Sequence, residues 1–479
     1  MSAAAGKSAL RPVLAVVVEY GELPELLKIA DTLRGALGRE VIFFFAKRGY
    51  RRLDEDSRAV TARGHRWVDW RGVEPTEPAC AAADLEEESA GRPYAPVPWL
   101  RALAGDLRAL WRDWRGLRER YAQISAVVAR LRPALVVVGQ DLVGKELSFA
   151  LIAARRQRVP TLIAPFAMFT MRELAEYALA HPEHHVGTRP LNALLATRYP
   201  RWALQRDGRT LVRLQGSRGL ALEWSGLAGG DPWVPCSEPA TAIACESRVA
   251  MRNFAAMGLP PGRLRIVGAA AFDRLAAALG DGGAGRERLM ARHGLDAQRP
   301  LLVCGWPANI FAWLGERRIA YSEYAALARA WAGALASVRD AVQVLLTVHP
   351  KTLDSELEAA RAQGIPLQRG DTEETVAHCD FFVTLNGSSI TAWAIACGKP
   401  VLLFDCYGTG YRDFDAAPGC ILTEDEAGFR TALARLCRGP AERSRLAAAQ
   451  ATVAGDWGEL DGHCSARLAA LCGELIGTA

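Results

Sequence analysis

Two segments in the C-terminal half of the 479-residue chain carry residue types that bind anionic groups. In the first segment, a short apolar run at residues 342–348 is followed by His349, Pro350 and Lys351. Imidazole can hydrogen-bond a phosphate or a ribose, proline fixes the direction of the turn, and lysine adds positive charge. A histidine that only closes the end of a strand is the alternative, and we favour it less because the second segment supplies further polar groups.

The second segment, residues 379–404, predicts a strand that ends at Leu385, a tight turn, and a helix that begins near Ser388 or Ser389. The first turn of a helix has free backbone N–H groups and the positive end of the helix dipole, so it can bind phosphate without a lysine. Serine also caps helices that bind nothing, and the doubled serine after Gly387 is what favours a ligand site. The predicted binding residues around this turn are Asn386, Gly387, Ser388, Ser389 and Thr391.

The elements that position these residues alternate between apolar strands and amphipathic helices in both halves of the chain. The predicted strands lie at residues 13–18, 41–45, 135–138 and 161–164, and again at 300–304, 342–348, 381–385 and 401–404. Fully apolar strands joined by helices are typical of a parallel sheet that is covered on both faces. We therefore predict an α/β fold of two Rossmann-like domains that face one another across a cleft. Ligands of such sheets bind beyond the carboxyl ends of the strands.

The predicted domain boundaries follow from composition. Residues 279–285 form a glycine-rich stretch, which is typical of a linker or hinge. We expect an N-terminal domain at residues 1–277, a linker at 278–299 and a C-terminal domain at 300–455. Residues 456–479 should form a helix that returns to the N-terminal domain, as in similar folds.

The His-Pro pair at 349–350 and the Ser-Ser pair at 388–389 resemble motifs of the bacterial sialyltransferases and Kdo transferases of the GT-B fold. In those families the His-Pro motif contacts CMP and the serine motif holds its phosphate. The resemblance implies a nucleotide-binding role for both segments in a glycosyltransferase that uses no metal ion and no other cofactor. It also implies a donor such as CMP-Kdo or a CMP-linked nonulosonic acid, and a glycan or glycolipid acceptor in capsule or lipopolysaccharide synthesis.

A second resemblance supports the same fold and an alternative chemistry. Residues 20–28 are similar to the opening of the UDP-GlcNAc 2-epimerases, and residues 242–275 contain segments similar to their interdomain region. Epimerases and UDP-sugar transferases place a ribose-binding glutamate seven residues before the proline of a Gly-x-Pro motif, and that position here is Trp393. The epimerases' acidic residues after the fourth strand are also unmatched. An epimerase, or a non-catalytic GT-B protein of a polysaccharide complex, remains the alternative.

Glycosyl transfer needs a carboxylate or histidine, as a base in an inverting mechanism or as a nucleophile in a retaining one. We expect it after a strand of the N-terminal domain. Asp141 is the first candidate, Glu19 the second, and Glu146 follows Asp141 by five residues. For each of them, an acidic residue that only complements a helix dipole is the alternative.

Residues 100–131 have apolar side chains at three- and four-residue steps, which predicts a long amphipathic helix. Six arginines occupy its other face: Arg101, Arg108, Arg112, Arg115, Arg118 and Arg120. One interpretation is a helix that packs on the N-terminal sheet and exposes the arginines to water. The other is a helix that contacts the inner-membrane surface, with its tryptophans at the lipid interface.

The overall charge excludes one large class of function. The chain has 58 basic and 53 acidic residues, a net charge of +5, which is too small an excess for a general nucleic-acid binder. No apolar run approaches the roughly 18–20 residues that span a bilayer. We therefore expect a cytoplasmic protein, with association at the inner membrane as the variant that the arginine-rich helix suggests.

Overall fold

The computed structural model describes residues 10–74, 99–165, 171–314, 319–349 and 352–477. The chain divides into two compact units. The first contains the described residues within Met1–Cys245, Phe254–Val267 and Ser465–Ala479, and the second those within Glu246–Asn253 and Gly268–Cys464.

Among the described residues of the first unit, seven strands form one parallel sheet in the order β3-β2-β1-β4-β5-β8-β9. The remaining two, β6 and β7, form an antiparallel hairpin. In the centre of the sheet, Val13 lies opposite Val41 on one side and Leu135 on the other. The strands are β1 (Val13–Val17), β2 (Val41–Phe45), β3 (Arg66–Val68), β4 (Leu135–Val138), β5 (Thr161–Ile163), β6 (Ala203–Arg206), β7 (Arg209–Val212), β8 (Ala242–Cys245) and β9 (Leu264–Ile266).

The helices of this part of the chain connect and cover the strands. The longest helix, α3, packs against α4 and α7. None of the helices in the described ranges has the combination of length and hydropathy that a membrane span requires. They are α1 (Leu23–Leu37), α2 (Leu53–Ala62), α3 (Trp99–Leu131), α4 (Glu146–Arg156), α5 (Met171–Ala180), α6 (Pro190–Arg198), α7 (Gly216–Ser225) and α8 (Arg248–Ala256).

In the second unit, six of the described strands form a parallel sheet in the order β12-β11-β10-β13-β14-β15. Its core centres on Trp331, whose ring stacks on Phe404 at 5.5 Å and contacts Phe429 at 5.0 Å between centroids. The strands are β10 (Leu301–Gly305), β11 (Gln343–Val348), β12 (Leu367–Arg369), β13 (Phe381–Leu385), β14 (Val401–Phe404) and β15 (Cys420–Thr423).

The remaining helices follow Gly268 in sequence, and all of them except α18 lie in the second unit. They are α9 (Ala270–Gly280), α10 (Gly282–Arg292), α11 (Tyr324–Ala336), α12 (Glu358–Ala362), α13 (Thr372–Ala377), α14 (Ile390–Ala396), α15 (Glu426–Arg438), α16 (Pro440–Ala451), α17 (Ala454–Trp457) and α18 (Cys464–Gly477). Both units thus have the continuous parallel sheets of Rossmann-like domains, which confirms the predicted fold class.

The glycine-rich stretch that we expected to be a linker is helical instead. It lies at the junction of α9 and α10, and Leu275 and Leu289 from these helices are fully buried. A Cβ atom on Gly285 would lie 2.5 Å from the ring of His378, so this glycine allows α10 to approach its neighbour. Burial of the apolar side chains outweighs the roughly 1 kcal/mol by which each glycine disfavours a helix.

The C-terminal helix α18 belongs to the first unit although it follows the second in sequence. Leu468, Leu471, Cys472 and Leu475 are buried in the same apolar cluster as residues of β1, β2 and α1. The strand β1 and the helix α18 therefore share one hydrophobic core.

We predict that Leu471→Ala lowers the free energy of unfolding of the first unit by about 2–4 kcal/mol, because it removes a buried side chain and leaves a cavity. Chemical denaturation followed by circular dichroism measures this loss. Glu474→Ala on the exposed side of the same helix is the matched control and should change stability by less than about 0.5 kcal/mol. Equal effects of the two substitutions would show that α18 is not part of the core.

Candidate active site

Each parallel sheet has one point where the strand order reverses. In the first unit it lies between β1 and β4, and in the second between β10 and β13. Open α/β sheets bind ligands beyond the carboxyl ends of the strands at such points, because the connections leave on opposite faces and open a crevice there. The residues that follow these four strands are therefore the first candidates for function.

In the second unit, Asn386 directly follows β13 and is buried. Its backbone N–H donates to the carbonyl oxygen of Phe404 at 2.9 Å, and its Nδ2 donates to the carbonyl oxygen of Tyr411 at 3.0 Å. Its Oδ1 has no hydrogen-bond partner in the described part of the chain. A buried amide oxygen without a partner is unfavourable by about 1–3 kcal/mol, so a hydrogen bond from a ligand group or a water that reached this atom would be stabilising.

Gly387 forms the turn next to Asn386, and a residue with a side chain would not fit at this position. Its φ angle is 90°, a left-handed conformation, and a Cβ atom would lie 2.6 Å from the ring of Tyr411. The loop that carries Tyr411 is held by Asp405, which follows β14. The carboxylate of Asp405 accepts hydrogen bonds from the backbone N–H of Thr409 at 2.8 Å and from that of Gly410 at 2.5 Å. Two strand ends therefore fix this turn and the loop over it.

The predicted serine pair lies at the start of α14, with Ser389 as the N-cap residue. Its side chain makes no capping hydrogen bond, contrary to expectation, because its backbone is already helical (φ −64°, ψ −26°) and capping requires an extended conformation. Ser388 and Ser389 are both partly exposed. Thr391, the second residue of the helix, is fully buried, and its Oγ1 has no hydrogen-bond partner in the described ranges.

His349 follows β11 and is exposed, and its carbonyl oxygen accepts from the N–H of Thr352 at 2.9 Å. Because β11 and β13 flank β10 in the same parallel sheet, the strand ends that precede His349 and Asn386 lie roughly 10 Å apart on the same edge. Pro350 and Lys351, which we predicted beside His349, lie outside the described residues.

At the reversal point of the first unit, Glu22 and Gln140 join the ends of β1 and β4. Gln140 Nε2 donates to Glu22 Oε1 at 2.8 Å, and Glu22 Oε2 accepts from the backbone N–H of Val18 at 3.1 Å. Burial raises the pKa of Glu22 to about 7. Glu19, in contrast, has a side chain that is 42% exposed, and it pairs with Lys47 at 3.2 Å. Glu19 is therefore the carboxylate that is accessible at this edge.

Asp141, our first candidate for the catalytic carboxylate, is only 2% exposed. Its Oδ1 accepts from Ser148 Oγ at 2.5 Å, and its Oδ2 accepts from the backbone N–H of Glu238 at 2.7 Å. Burial raises the pKa of Asp141. A general base must come within hydrogen-bond reach of the proton it removes, and in this conformation both oxygens of Asp141 are occupied inside the protein.

Glu146, the third candidate, is nearly buried at the start of α4, where its Oε1 lies 3.5 Å from Arg120. Its position in the first turn matches the dipole-complementing role that we gave as the alternative.

The sequence alone did not single out Gln140 and Asp405. The available signal was their position at or just after the end of a fully apolar strand, where a polar side chain can hydrogen-bond the loop backbone. Within the described ranges, no group of three or more His, Cys, Asp or Glu side chains is arranged to hold a metal ion.

We predict that Glu22→Gln makes the stability of the protein less dependent on pH. The folded-state pKa of Glu22 is raised, so the neutral carboxyl contributes to the free energy of unfolding. This contribution is fully present below about pH 4.5 and is lost as the pH rises through about 7. The variant has no charge to bury, and its stability relative to the wild type should increase by roughly 3 kcal/mol at most over this range. Denaturation curves between pH 4 and 8 measure the difference.

The substitution Glu119→Gln at an exposed position is the control, and its plot of stability against pH should run parallel to that of the wild type. If the plot of stability against pH for Glu22→Gln also ran parallel to that of the wild type, the carboxyl of Glu22 would not have a raised pKa.

Comparisons with known proteins support the architecture. No protein-family model matches the sequence, and no curated protein matches it. Among solved structures, the calicheamicin glycosyltransferase CalG4 is 15% identical with a TM-score of 0.53, and the match covers 98% of each chain. The UDP-GlcNAc 2-epimerase from Neisseria meningitidis bound to UDP-GlcNAc is 11% identical with a TM-score of 0.50, over 98% of this chain and 100% of that one.

A glycosyltransferase of kitacinnamycin is 13% identical with a TM-score of 0.50, over 97% of this chain and 99% of the other. At these identities the likeness establishes the fold and leaves the chemistry to the site residues. The chain therefore has the GT-B fold, in which glycosyltransferases and UDP-GlcNAc 2-epimerases share two Rossmann-like α/β units.

Proposed function

We propose that this chain is a glycosyltransferase whose second unit binds a nucleotide sugar at the turn after β13. The observation that carries the proposal is a pair of buried oxygens, Asn386 Oδ1 and Thr391 Oγ1, that have no hydrogen-bond partner among the described residues. They lie beside two serines at the start of α14. The threonine and serine hydroxyls can donate to phosphate oxygens, and the amide oxygen can accept from a sugar hydroxyl or a base N–H. The exposed imidazole of His349 lies on the same sheet edge and supplies a further donor.

For the donor we propose a CMP-linked sugar, either Kdo or a nonulosonic acid. The support is the resemblance of the His-Pro and Ser-Ser pairs to CMP-binding motifs, together with Trp393 at the position where UDP-sugar enzymes place their ribose-binding glutamate. The reaction would need no metal ion, because fixed N–H groups and hydroxyls can stabilise the charge that develops on the leaving nucleotide.

A UDP-sugar epimerase is the second candidate, and its support is the fold that this chain shares with the meningococcal enzyme bound to UDP-GlcNAc. The two candidates differ in the nucleotide and in the need for an acceptor. An epimerase converts its sugar nucleotide alone, whereas a transferase consumes the donor only with an acceptor, apart from slow hydrolysis.

For the acceptor, we propose that the first unit binds a glycan or glycolipid and supplies the carboxylate. Glu19 replaces Asp141 as the preferred residue, because its side chain is exposed at the carboxyl end of β1. In an inverting transfer, Glu19 would take the proton of the acceptor hydroxyl. The oxygen of that hydroxyl would attack the anomeric carbon of the donor sugar, and the bond between the sugar and the phosphate would break to release CMP. We place this reaction in the synthesis of a bacterial surface polysaccharide, on the cytoplasmic side of the inner membrane.

We predict that CMP raises the melting temperature of the protein more than UDP, GDP or ADP does, with or without magnesium, because a ligand that binds only the folded state stabilises it. In the double variant Ser388→Ala/Ser389→Ala, the shift should fall to a small fraction of the wild-type value while the melting temperature without nucleotide stays within a few degrees. Differential scanning fluorimetry measures both.

The control is Ser444→Ala at an exposed position of α16, and this variant should retain the full CMP-induced shift in melting temperature. Stabilisation by UDP alone would move the proposal to a UDP-sugar enzyme. An unchanged CMP shift in the double variant would remove the turn after β13 from the binding site.

We predict that Glu19→Gln lowers the rate of sugar transfer by about 10²–10⁴-fold while the affinity for CMP stays the same, because a general base acts on the acceptor and not on the nucleotide. Its ion pair with Lys47 is solvent-exposed, so the substitution should change stability by less than about 1 kcal/mol. Release of CMP in the presence of acceptor glycans measures the rate. The exposed substitution Glu55→Gln in the same unit is the control, and a fully active Glu19→Gln would assign the base to another residue.

A further inference from the structure

The N-terminal half of α3 exposes an aromatic surface that the fold does not use. Trp111 is 60% exposed and Leu107, one turn earlier, is 51% exposed. Trp111 stacks on Trp114 with 5.3 Å between ring centroids. Because positions 107, 111, 114 and 118 fall on one helical stripe, these side chains form a continuous surface about 16 Å long.

Arginines surround this stripe. The guanidinium of Arg118 lies 4.6 Å from the ring centroid of Trp114, and that of Arg115 lies 6.0 Å from that of Trp111. Arg108 and Arg112 occupy the adjacent stripe and are also exposed. In the described part of the chain these four arginines form no ion pair, whereas Arg120 on another side of the helix pairs with Glu146.

The carboxylates of this helix segment do not neutralise the arginines. Asp106 is buried and pairs with Arg189 at 3.0 Å, and Asp113 accepts a hydrogen bond from Ser217 at 2.9 Å. Only Glu119 among them is exposed. The surface is therefore strongly cationic as well as aromatic.

A neighbouring face of α3 is held against the rest of the unit. Leu110, Leu117, Ile124 and Val128 are buried, and the helix packs along α7 and α4. The exposed aromatic face is therefore presented by a rigid element and is not needed for packing within this unit.

A groove of about 560 Å³ continues from this surface along the same helix. Arg118 and Arg156 line it together with the apolar side of Tyr121 and with Leu227. Ser225 also lines it, and the Oγ of this serine is buried without a hydrogen-bond partner in the described ranges. The groove thus combines two cations and a hydroxyl with apolar walls, a combination that suits a phosphate group attached to a hydrocarbon chain.

We propose that this face of α3, formed by Leu107, Trp111, Trp114 and the four arginines and called here the α3 surface, docks on a bilayer that contains anionic phospholipid. Indole rings prefer the headgroup level of a membrane, and arginines on the same helix face pair with lipid phosphates. The adjoining groove holds the headgroup of one anionic lipid. The inference does not depend on the proposed transferase activity, since lipid binding is measured without donor or acceptor.

The test is flotation of the full-length protein with vesicles of phosphatidylcholine, either pure or mixed with phosphatidylglycerol. The protein should float with the mixed vesicles, and added salt should weaken this binding because it screens the charges. Arg112→Glu/Arg115→Glu should lower partitioning about twentyfold or more, since each basic side chain at such a surface increases partitioning roughly fivefold. Trp111→Ala should also lower it, by several-fold, and circular dichroism should show that both variants are folded.

Matched controls lie in the second unit. Trp313→Ala removes an indole that is 59% exposed, and Arg329→Glu/Arg445→Glu makes the same change in net charge; both should bind like the wild type. Failure of the wild type to float, or equal loss in the control and α3 variants, would overturn the proposal. So would a wild-type dimer that Trp111→Ala dissociates in light scattering, because the α3 surface would then be an interface between two copies of the chain.

Discussion

Both units depend on one constraint: a parallel strand that is buried on both faces has little room for polar side chains along its length. In β1, β4 and β10 every residue is buried, and all of them are apolar or glycine. Polar residues are therefore concentrated at the strand ends, where the chain leaves the sheet. Because the strands are parallel, the carboxyl ends of each sheet share one edge, and the backbone groups of the loops at that edge need hydrogen-bond partners.

Buried carboxylates satisfy much of this need. Glu22 accepts from backbone N–H groups at the end of β1, Asp141 holds the segment around Glu238, and Asp405 holds the loop that lies over Gly387. Each lies at or just after the end of a strand and faces inward. They hold the loops at the carboxyl edges of the two sheets. The side chain of Glu19 is 42% exposed, His349 is exposed, and the serine pair is partly exposed, so these residues are more accessible than the buried carboxylates.

The α3 helix shows the same separation of roles on a single element. One face supplies buried leucine, isoleucine and valine side chains to the first unit. Another face carries stacked tryptophans and exposed arginines that have no acidic partner in the described part of the chain. The two interpretations that the sequence offered for this helix are therefore compatible, since a helix has enough circumference for a packing face and a docking face.

The sequence alone determined the fold class, because fully apolar strands and the amphipathic periodicity of the helices are local signals that need no partner to be recognised. It also indicated the turn after β13 and the residue that precedes α14, because Gly387 and the serine pair punctuate the chain there. Tertiary structure decided the rest. It placed the glycine-rich stretch in two helices, since Gly285 is required for close contact with His378.

Tertiary structure also separated Asp141 from Glu19, two carboxylates that look alike in sequence. The strand that precedes each of them is apolar, and only the packing of Ser148 and the loop around Glu238 buries the first while the second stays in solvent. Burial and hydrogen bonding depend on residues up to 97 positions away along the chain, so no local pattern could report them.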